Sequence, residues 1–340
     1  MNTIGNDGWS RREFLCKVGL TGTAAVLGFR NNAAAAQAAP ETKRIRIDQA
    51  PNTCLAPSYL AQDFLRGEGF TDVQYVNVGD RLPLDLVAAG EVDITQGELA
   101  VGILMRVEAG APIVVLAGMH PGCYELFGTE RVRTIRDLKG KTVAVSAIGS
   151  AEHLFLSTML AYVGLDPRRD VKWVAHEPAV SIRLLTEGKV DAYLAFPPEQ
   201  QELRAKKIGR VVVNTATDKP WSQYFCCMVV ANRDFVRRNP VATKRALRAL
   251  LKSADLCAQD PVRAARYVVD KGYAANYEYT LQTLRELPYK AWRTYNPEDT
   301  LRFYSLRLKD IGLIKTSPDA LVAKAADWRF LRELKKELKA

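Results

Sequence analysis

Residues Lys141 to His153 form a strand-to-helix turn whose groups could do chemistry. Lys141-Thr-Val-Ala-Val145 is β-branched and apolar and suits a buried strand. Ser146-Ala-Ile-Gly149-Ser150 breaks that pattern, and helical spacing starts at Ala151. A strand that turns into a helix this way leaves backbone N–H groups at the positive end of the helix dipole. The Ser146, Gly149, Ser150 and His153 region could therefore hold an anion or a carbonyl oxygen. An ordinary N-cap, with Ser150 capping and Gly149 easing the turn, accounts for the same residues.

Other candidates follow the ends of expected strands. They are Asn52, Thr53 and Cys54, then Gln96 and Glu98, then His120 and Tyr124, then Phe196 and Glu199, with Trp221 and Tyr224 near a later crossing. Together they would make a ligand site rich in aromatic faces, hydrogen-bond donors and a few acids. Glu98, Glu125 and Glu199 fit an amine or a heteroaromatic N–H better than a bare anion. Glu98 could equally serve to start a helix at Leu99, and Glu199 follows Pro198 at another helix start. Trp221 also suits core or hinge packing.

No nucleophile, base and orienting group form a complete set. Three histidines occur, His120, His153 and His176. There is no C-x-x-C and no zinc-like His/Cys spacing, so neither a metal nor a cofactor is expected. Beyond Cys16, the cysteines are Cys54, Cys123, Cys226, Cys227 and Cys257, an odd number that leaves one unpaired in a monomer. For Cys54 and Cys123, a disulfide and two separately buried thiols are both open. Cys226 and Cys227 are adjacent on a strand, point to opposite faces and read as packing thiols.

The elements that must position these groups begin after a leader. Ser10-Arg11-Arg12-Glu13-Phe14-Leu15, the mildly apolar run Val18 to Phe29 and Ala36-Gln37-Ala38 form a twin-arginine signal pattern with cleavage expected near Ala38. Such a leader sends folded cargo across the membrane, so a periplasmic location is expected. The net charge is +10 before cleavage, and the leader carries an excess of two basic residues. The remaining basic residues are spread over the chain, which fits a solvated surface and not a nucleic-acid stripe.

From Arg44 to Gly118 the chain alternates four strands with three helices, which predicts an α/β fold with a mostly parallel sheet. Gly122 to Gly128 interrupts that rhythm, and a second alternation runs from Lys141 to Asn214. Phe225 to Ala231 is one more strand. Beyond Arg233 the spacing is helical, and these helices are expected to pack on the first lobe. Ala88-Ala-Gly-Glu-Val-Asp93-Ile94 is echoed by Thr186-Glu-Gly-Lys-Val-Asp191-Ala192, one copy in each half. The expected division is a leader over 1–38, a discontinuous first lobe over 39–127 plus 222–340, and a second lobe over 128–221. Ligand would sit in the cleft between the lobes.

The repeated Gly-x-Val-Asp units, Ala109-Gly-Ala-Pro112, Ile135-Arg-Asp-Leu-Lys-Gly-Lys-Thr-Val-Ala-Val145, Gly149-Ser150 and Phe235-x-x-x-Asn-Pro240 carry a resemblance. Over roughly residues 43 to 260 the chain resembles the nitrate/sulfonate/taurine class of ABC-importer solute-binding proteins, a group that includes pyrimidine-precursor binders. The resemblance implies a two-lobed clamshell of type II with a helical C-terminal extension. It implies no catalysis, a small organic or oxyanionic ligand (sulfonate, nitrate, taurine or heteroaromatic) and a monomer. The implied partner is an ABC permease with its ATPase, which gives peripheral membrane contact, and no nucleic acid. The alternative is an enzyme on the same fold related to pyrimidine-precursor synthases. A sensory input module would use the same binding fold. Cys54-Leu-Ala-Pro57, Gly122-Cys-Tyr-Glu-Leu-Phe127, Phe196-Pro-Pro-Glu199 and Pro220-Trp221 to Cys227 depart from the better-known members.

Overall fold

The computed structural model describes residues 38–50 and 52–339. The leader pattern at Ser10 to Leu15 and most of the expected cleavage region lie outside these residues. Two five-stranded sheets carry the described chain. The first is built from β1 (Arg44–Gln49), β2 (Asp72–Asn77), β3 (Ile94–Glu98) and β4 (Ile113–Pro121). The second takes β5 (Glu125–Gly128), β6 (Thr142–Val145), β7 (Lys172–Ala175), β8 (Ala192–Ala195) and β9 (Arg210–Asn214). The chain then returns to the first sheet as β10 (Phe225–Asn232).

The two sheets share one plan. Their orders are β2-β1-β3-β10-β4 and β7-β6-β8-β5-β9. In each, the strand in fourth place runs antiparallel to both neighbours, while the pairs formed by the first three strands are parallel. The reversed strand directly follows a crossing from the other sheet, at 122–124 for β5 and 215–224 for β10. Parallel strands need helical crossovers, and helices flank both sheets. β5 was not expected from the sequence. Glu125 and Gly128 are weak strand formers, yet the whole strand is buried between β8 and β9, so tertiary pairing overrides local propensity.

The repeated Gly-x-Val-Asp unit has one structural job in both copies. Gly90 and Gly188 close their helices at φ +72° and +65°, a left-handed conformation that favours glycine. Val92 and Val190 are buried. The aspartate then clamps the neighbouring parallel strand. Asp93 Oδ2 accepts the Arg46 backbone N–H at 2.8 Å, and the Arg46 side chain binds the same carboxylate at 2.6 Å. Asp191 Oδ2 accepts the Thr142 N–H at 3.0 Å, and Arg131 pairs with it at 2.8 Å.

The C-terminal helices do more than cover the first sheet. Helix Pro240–Gln259 packs on helix Ala56–Gly67, as expected. Helix Pro297–Asp310, however, touches both Ala100–Glu108 and Ala151–Tyr162, and Tyr277–Glu286 touches Glu199–Lys206. The expected packing on the first lobe is present, and these helices touch the second half as well. Aromatic residues make this bridge, with Phe155 of the second half 5.7 Å from Tyr304. Arg204 adds an ion pair to Glu286 at 2.7 Å. Helix Arg329–Glu337 was not anticipated, because its charged residues mask a narrow apolar stripe of Phe330, Leu331 and Leu334.

Asp93→Ala removes a charged acceptor used by both backbone and side chain. It is expected to lower the unfolding free energy by about 2–3 kcal/mol in urea denaturation. A change under about 0.5 kcal/mol would show that the clamp is not stabilising.

Candidate functional site

A cavity of about 310 Å³ opens where the C-terminal ends of β1, β3, β6 and β8 converge. This is the expected ligand position for parallel strands. From β1 and the turn after it come Asp48, Ala50, Asn52 and Leu55. β3 supplies Gln96, Gly97 and Glu98, and the 122–124 crossing supplies Tyr124. The second sheet contributes Ser146, Glu152, Tyr193, Phe196 and Glu199. None of the described residues lining the cavity is Lys, Arg or His.

The β3 end is shaped by glycine. Gly97 has φ +108°, and a Cβ there would meet Leu55 Cδ2 at 2.4 Å. The β3–β10 register slips at this point, with Met228 facing Glu98 and Val229 facing Gln96. Two β3 steps against one β10 step make a bulge, a device that re-aims side chains beside binding sites.

Gln96 is 1% exposed, and neither its Oε1 nor its Nε2 has a protein partner. Asp48 is also 1% exposed, with both carboxylate oxygens unpartnered. Burial pushes the Asp48 carboxyl up to about 7. Burial, reinforced by the charge of Asp48, pushes Glu98 up to about 8. Glu152 and Glu199 are also raised by burial. Glu199 accepts from Tyr193 Oη at 2.5 Å and from the Phe196 N–H at 3.2 Å, and Ser146 Oγ donates to Glu152. Tyr124 lies 4.8 Å from Phe196 and 5.5 Å from Phe155, ring to ring. The lining thus combines aromatic faces with four carboxyls, Asp48, Glu98, Glu152 and Glu199, among neutral residues such as Asn52, Leu55, Pro83 and Gln96.

Of the residues expected from the sequence, Asn52, Gln96, Glu98, Tyr124, Ser146, Phe196 and Glu199 line this cavity. Gly149 and Ser150 line an adjoining groove that shares Pro83, Glu98, Ser146 and Glu152 with it. The Gly149 and Ser150 N–H groups are used inside the turn, in keeping with the ordinary N-cap reading. Gly149 N donates to His153 Nδ1 at 3.1 Å, and Ser150 N donates to Ala147 O at 3.2 Å. Ser150 Oγ caps the helix by accepting from His153 N at 3.3 Å.

The remaining candidates lie elsewhere. His153 stands edge-on to Trp173 at 4.6 Å, beside a separate apolar groove. Trp221 is buried among Phe155, Tyr162 and Phe303, and Tyr224 stacks on Phe303 at 4.0 Å. Both serve the bridge between the halves. Thr53, Cys54 and His120 are buried outside the cavity lining. Sequence reasoning missed Asp48, Glu152 and Tyr193. Asp48 and Tyr193 sit on expected strands close to their C-terminal ends. Glu152 looked like one more first-turn acid.

Behind the Asn52–Leu55 turn, Cys54, His120, Cys123 and Cys227 gather with their ligand atoms within 4.8 Å of one another, all buried. Cys227 Sγ lies 3.7 Å from Cys54 Sγ and 3.4 Å from Cys123 Sγ. His120 Nδ1 lies 3.8 Å from Cys123 Sγ. Of the two options open for Cys54 and Cys123, the disulfide is not formed: both are free, buried thiols, and both approach Cys227. Cys227 is therefore more than a packing thiol. The absence of metal-like spacing in the sequence did not prevent a metal-like grouping in space, since the four residues come from three distant segments.

Two mixed sheets that exchange a strand around a cleft are the periplasmic-binding-protein fold. Two solved structures with that fold are similar to the chain. One is the nitrate-binding protein NrtA of Synechocystis (TM-score 0.73, 16% identity, 89% of this chain and 90% of that one). The other is the alkanesulfonate-binding protein SsuA of Xanthomonas axonopodis bound to MOPS (0.65, 19%, 85% and 99%). The chain belongs to the NMT1/THI5-like family, which matches residues 52–264. Among curated proteins it is 22% identical over 295 residues to the nitrate/nitrite binding protein NrtA of Nostoc, covering 73% of this chain. It is 23% identical over 201 residues to the 4-amino-5-hydroxymethyl-2-methylpyrimidine phosphate synthase THI12 of Saccharomyces cerevisiae, covering 55% of this chain. The matches span 66% and 57% of those relatives' lengths.

The raised carboxyls of the cavity make the stability of the ligand-free protein depend on pH. Asp48 ionises near 3.9 in an unfolded chain and near 7 here, so the folded state holds its proton more tightly. That stabilisation is full below about pH 4 and is lost as pH rises through 7, with Glu98 extending the loss towards 8. The melting temperature should fall between pH 5 and pH 8, and Asp48→Asn should flatten the fall. A rising melting temperature over that range would contradict the assignment.

Proposed function

We propose that the protein is the periplasmic solute-binding component of an ABC importer and delivers its ligand to a permease and ATPase. In this reading it acts as a monomer, exported by the twin-arginine route. The expected first-lobe bound at 127 moves to the crossing at 122–124, because β5 belongs to the second sheet, and the two halves close on the solute by a hinge at the crossings 122–124 and 215–224. Family membership and the fold of the nitrate- and sulfonate-binding proteins support this class.

One observation carries the ligand chemistry: Asp48 and Gln96 are buried in the cavity wall with their polar atoms unpartnered. Buried polar groups are almost always hydrogen-bonded, so a ligand that completes this site supplies N–H donors to Asp48 and Gln96 Oε1 and an acceptor for Gln96 Nε2. Glu98, Glu152 and Glu199 add further acceptors, and Tyr124, Tyr193 and Phe196 offer faces for a flat body. Nitrate or a sulfonate would instead meet carboxylates with no basic side chain from the described lining residues to offset them. The preferred solute is a nitrogen heterocycle or another compact body that carries amino or ring N–H groups.

The similarity to the yeast synthases gives the second reading, an enzyme acting on such a heterocycle. The same ligand experiment separates the two, because a binding protein returns its solute chemically unchanged.

Calorimetric titration of the mature protein with aminopyrimidines, aliphatic amines, taurine, alkanesulfonates and nitrate tests the proposal. Aminopyrimidine-like solutes should bind most tightly, and Asp48→Asn and Gln96→Ala should each weaken binding about tenfold or more. For a permanently cationic solute, affinity should rise from pH 6 to pH 8 as Asp48 and Glu98 ionise. Tighter binding of nitrate or a sulfonate would overturn the ligand class.

A further inference from the structure

We propose that Cys54, His120, Cys123 and Cys227 form a structural zinc(II) site buried behind the solute cavity. Three cysteines and a histidine are one of the standard closed zinc sets. With zinc–sulfur bonds of about 2.3 Å, tetrahedral geometry places sulfur atoms roughly 3.8 Å apart. The Cys227 Sγ distances of 3.7 and 3.4 Å, and the 4.8 Å limit on the whole group, need only small adjustments to meet that geometry.

The histidine is prepared as a ligand. His120 is fully buried, and its Nε2 has no hydrogen-bond partner. Its Nδ1 lies 3.2 Å from Pro121 O. Donation there fixes the tautomer that leaves the Nε2 lone pair available, which is the usual outer contact of a metal-bound histidine. Tyr289 stands edge-on to the ring at 4.7 Å, and its hydroxyl donates to Cys54 O at 3.2 Å. The ring and the Cys54 turn are thus held from behind by one residue.

A disulfide is the competing use of these thiols. One bond between Cys123 and Cys227 would leave the Cys54 thiol and the His120 Nε2 buried without partners. Zinc engages all four groups at once. The expected export of folded cargo would let the ion enter in the reducing cytoplasm, before the thiols meet an oxidising compartment.

The site would tie together three segments that frame the solute cavity. Cys54 sits between Asn52 and Leu55, Cys123 precedes Tyr124, and Cys227 lies beside Met228, which faces Glu98 across the β3–β10 ladder. The ion is a brace for the cavity wall and does not touch solute. The proposal stands whether or not the transport reading holds.

The test is zinc analysis and zinc-edge X-ray absorption on the mature wild-type protein, purified with thiols kept reduced. About one zinc per chain in a shell of three sulfurs and one nitrogen is expected. Cys54→Ser and Cys227→Ser should each lower zinc affinity about tenfold or more, whereas Cys257→Ser, a buried cysteine outside the group, should not. Cobalt(II) added to chelator-stripped wild-type protein should give thiolate charge-transfer bands, a readout independent of whether the serine variants fold. Wild-type protein that binds neither zinc nor cobalt, a shell without sulfur, full zinc retention in Cys227→Ser, or a Cys123–Cys227 disulfide in the exported protein would overturn it.

Discussion

β10 lies between β3 and β4, and much of the site depends on that insertion. It is antiparallel to both neighbours and fully buried along its length. Its register slip against β3 coincides with Gly97, so the end of β3 can present both Gln96 and Glu98 to the cavity. On its other edge it places Cys227 opposite His120. A strand that arrives only after the chain has built the second sheet thus completes the first sheet, shapes one wall of the cavity and closes the cysteine cluster. Long-range pairing of this kind is slow to form, and it ties the assembly of the site to completion of both halves.

The acidity of the cavity is the basis for the proposed solute chemistry. Unpaired carboxyls at the ends of parallel strands resist ionisation because burial removes their water. A cationic or N–H-bearing solute relieves that penalty, and an oxyanion deepens it. In the turn before the helix start at Ala151, the Gly149 N–H is used on His153 and the Ser150 N–H on Ala147. The fold is shared with binders of nitrate and alkanesulfonate, and the proposed preference for an N–H-bearing solute rests on the lining chemistry alone.

The sequence showed the alternation of strands and helices, the echo of Gly-x-Val-Asp and the strand ends that carry the cavity. These features are local and periodic, so they can be read from spacing. β5 was hidden because its burial comes from partners about 70 and 85 residues further along the chain. Asp48 and Gln96 show the same limit. Gln96 was singled out and Asp48 was not, although both owe their importance to burial without a partner, which no local pattern records. His153, Trp221 and Tyr224 had suitable chemistry, but ring packing against Trp173, Phe155 and Phe303 claimed them. The cysteine cluster draws on residues from 54 to 227, so no motif spacing could announce it.

The most direct test of the central claim is native mass spectrometry of the exported protein purified with its solute still bound. A bound molecule carrying basic or N–H nitrogen, released chemically unchanged and missing from Asp48→Asn, is the predicted result. A bound nitrate, sulfonate or other strong-acid anion, retained equally by Asp48→Asn, would contradict it.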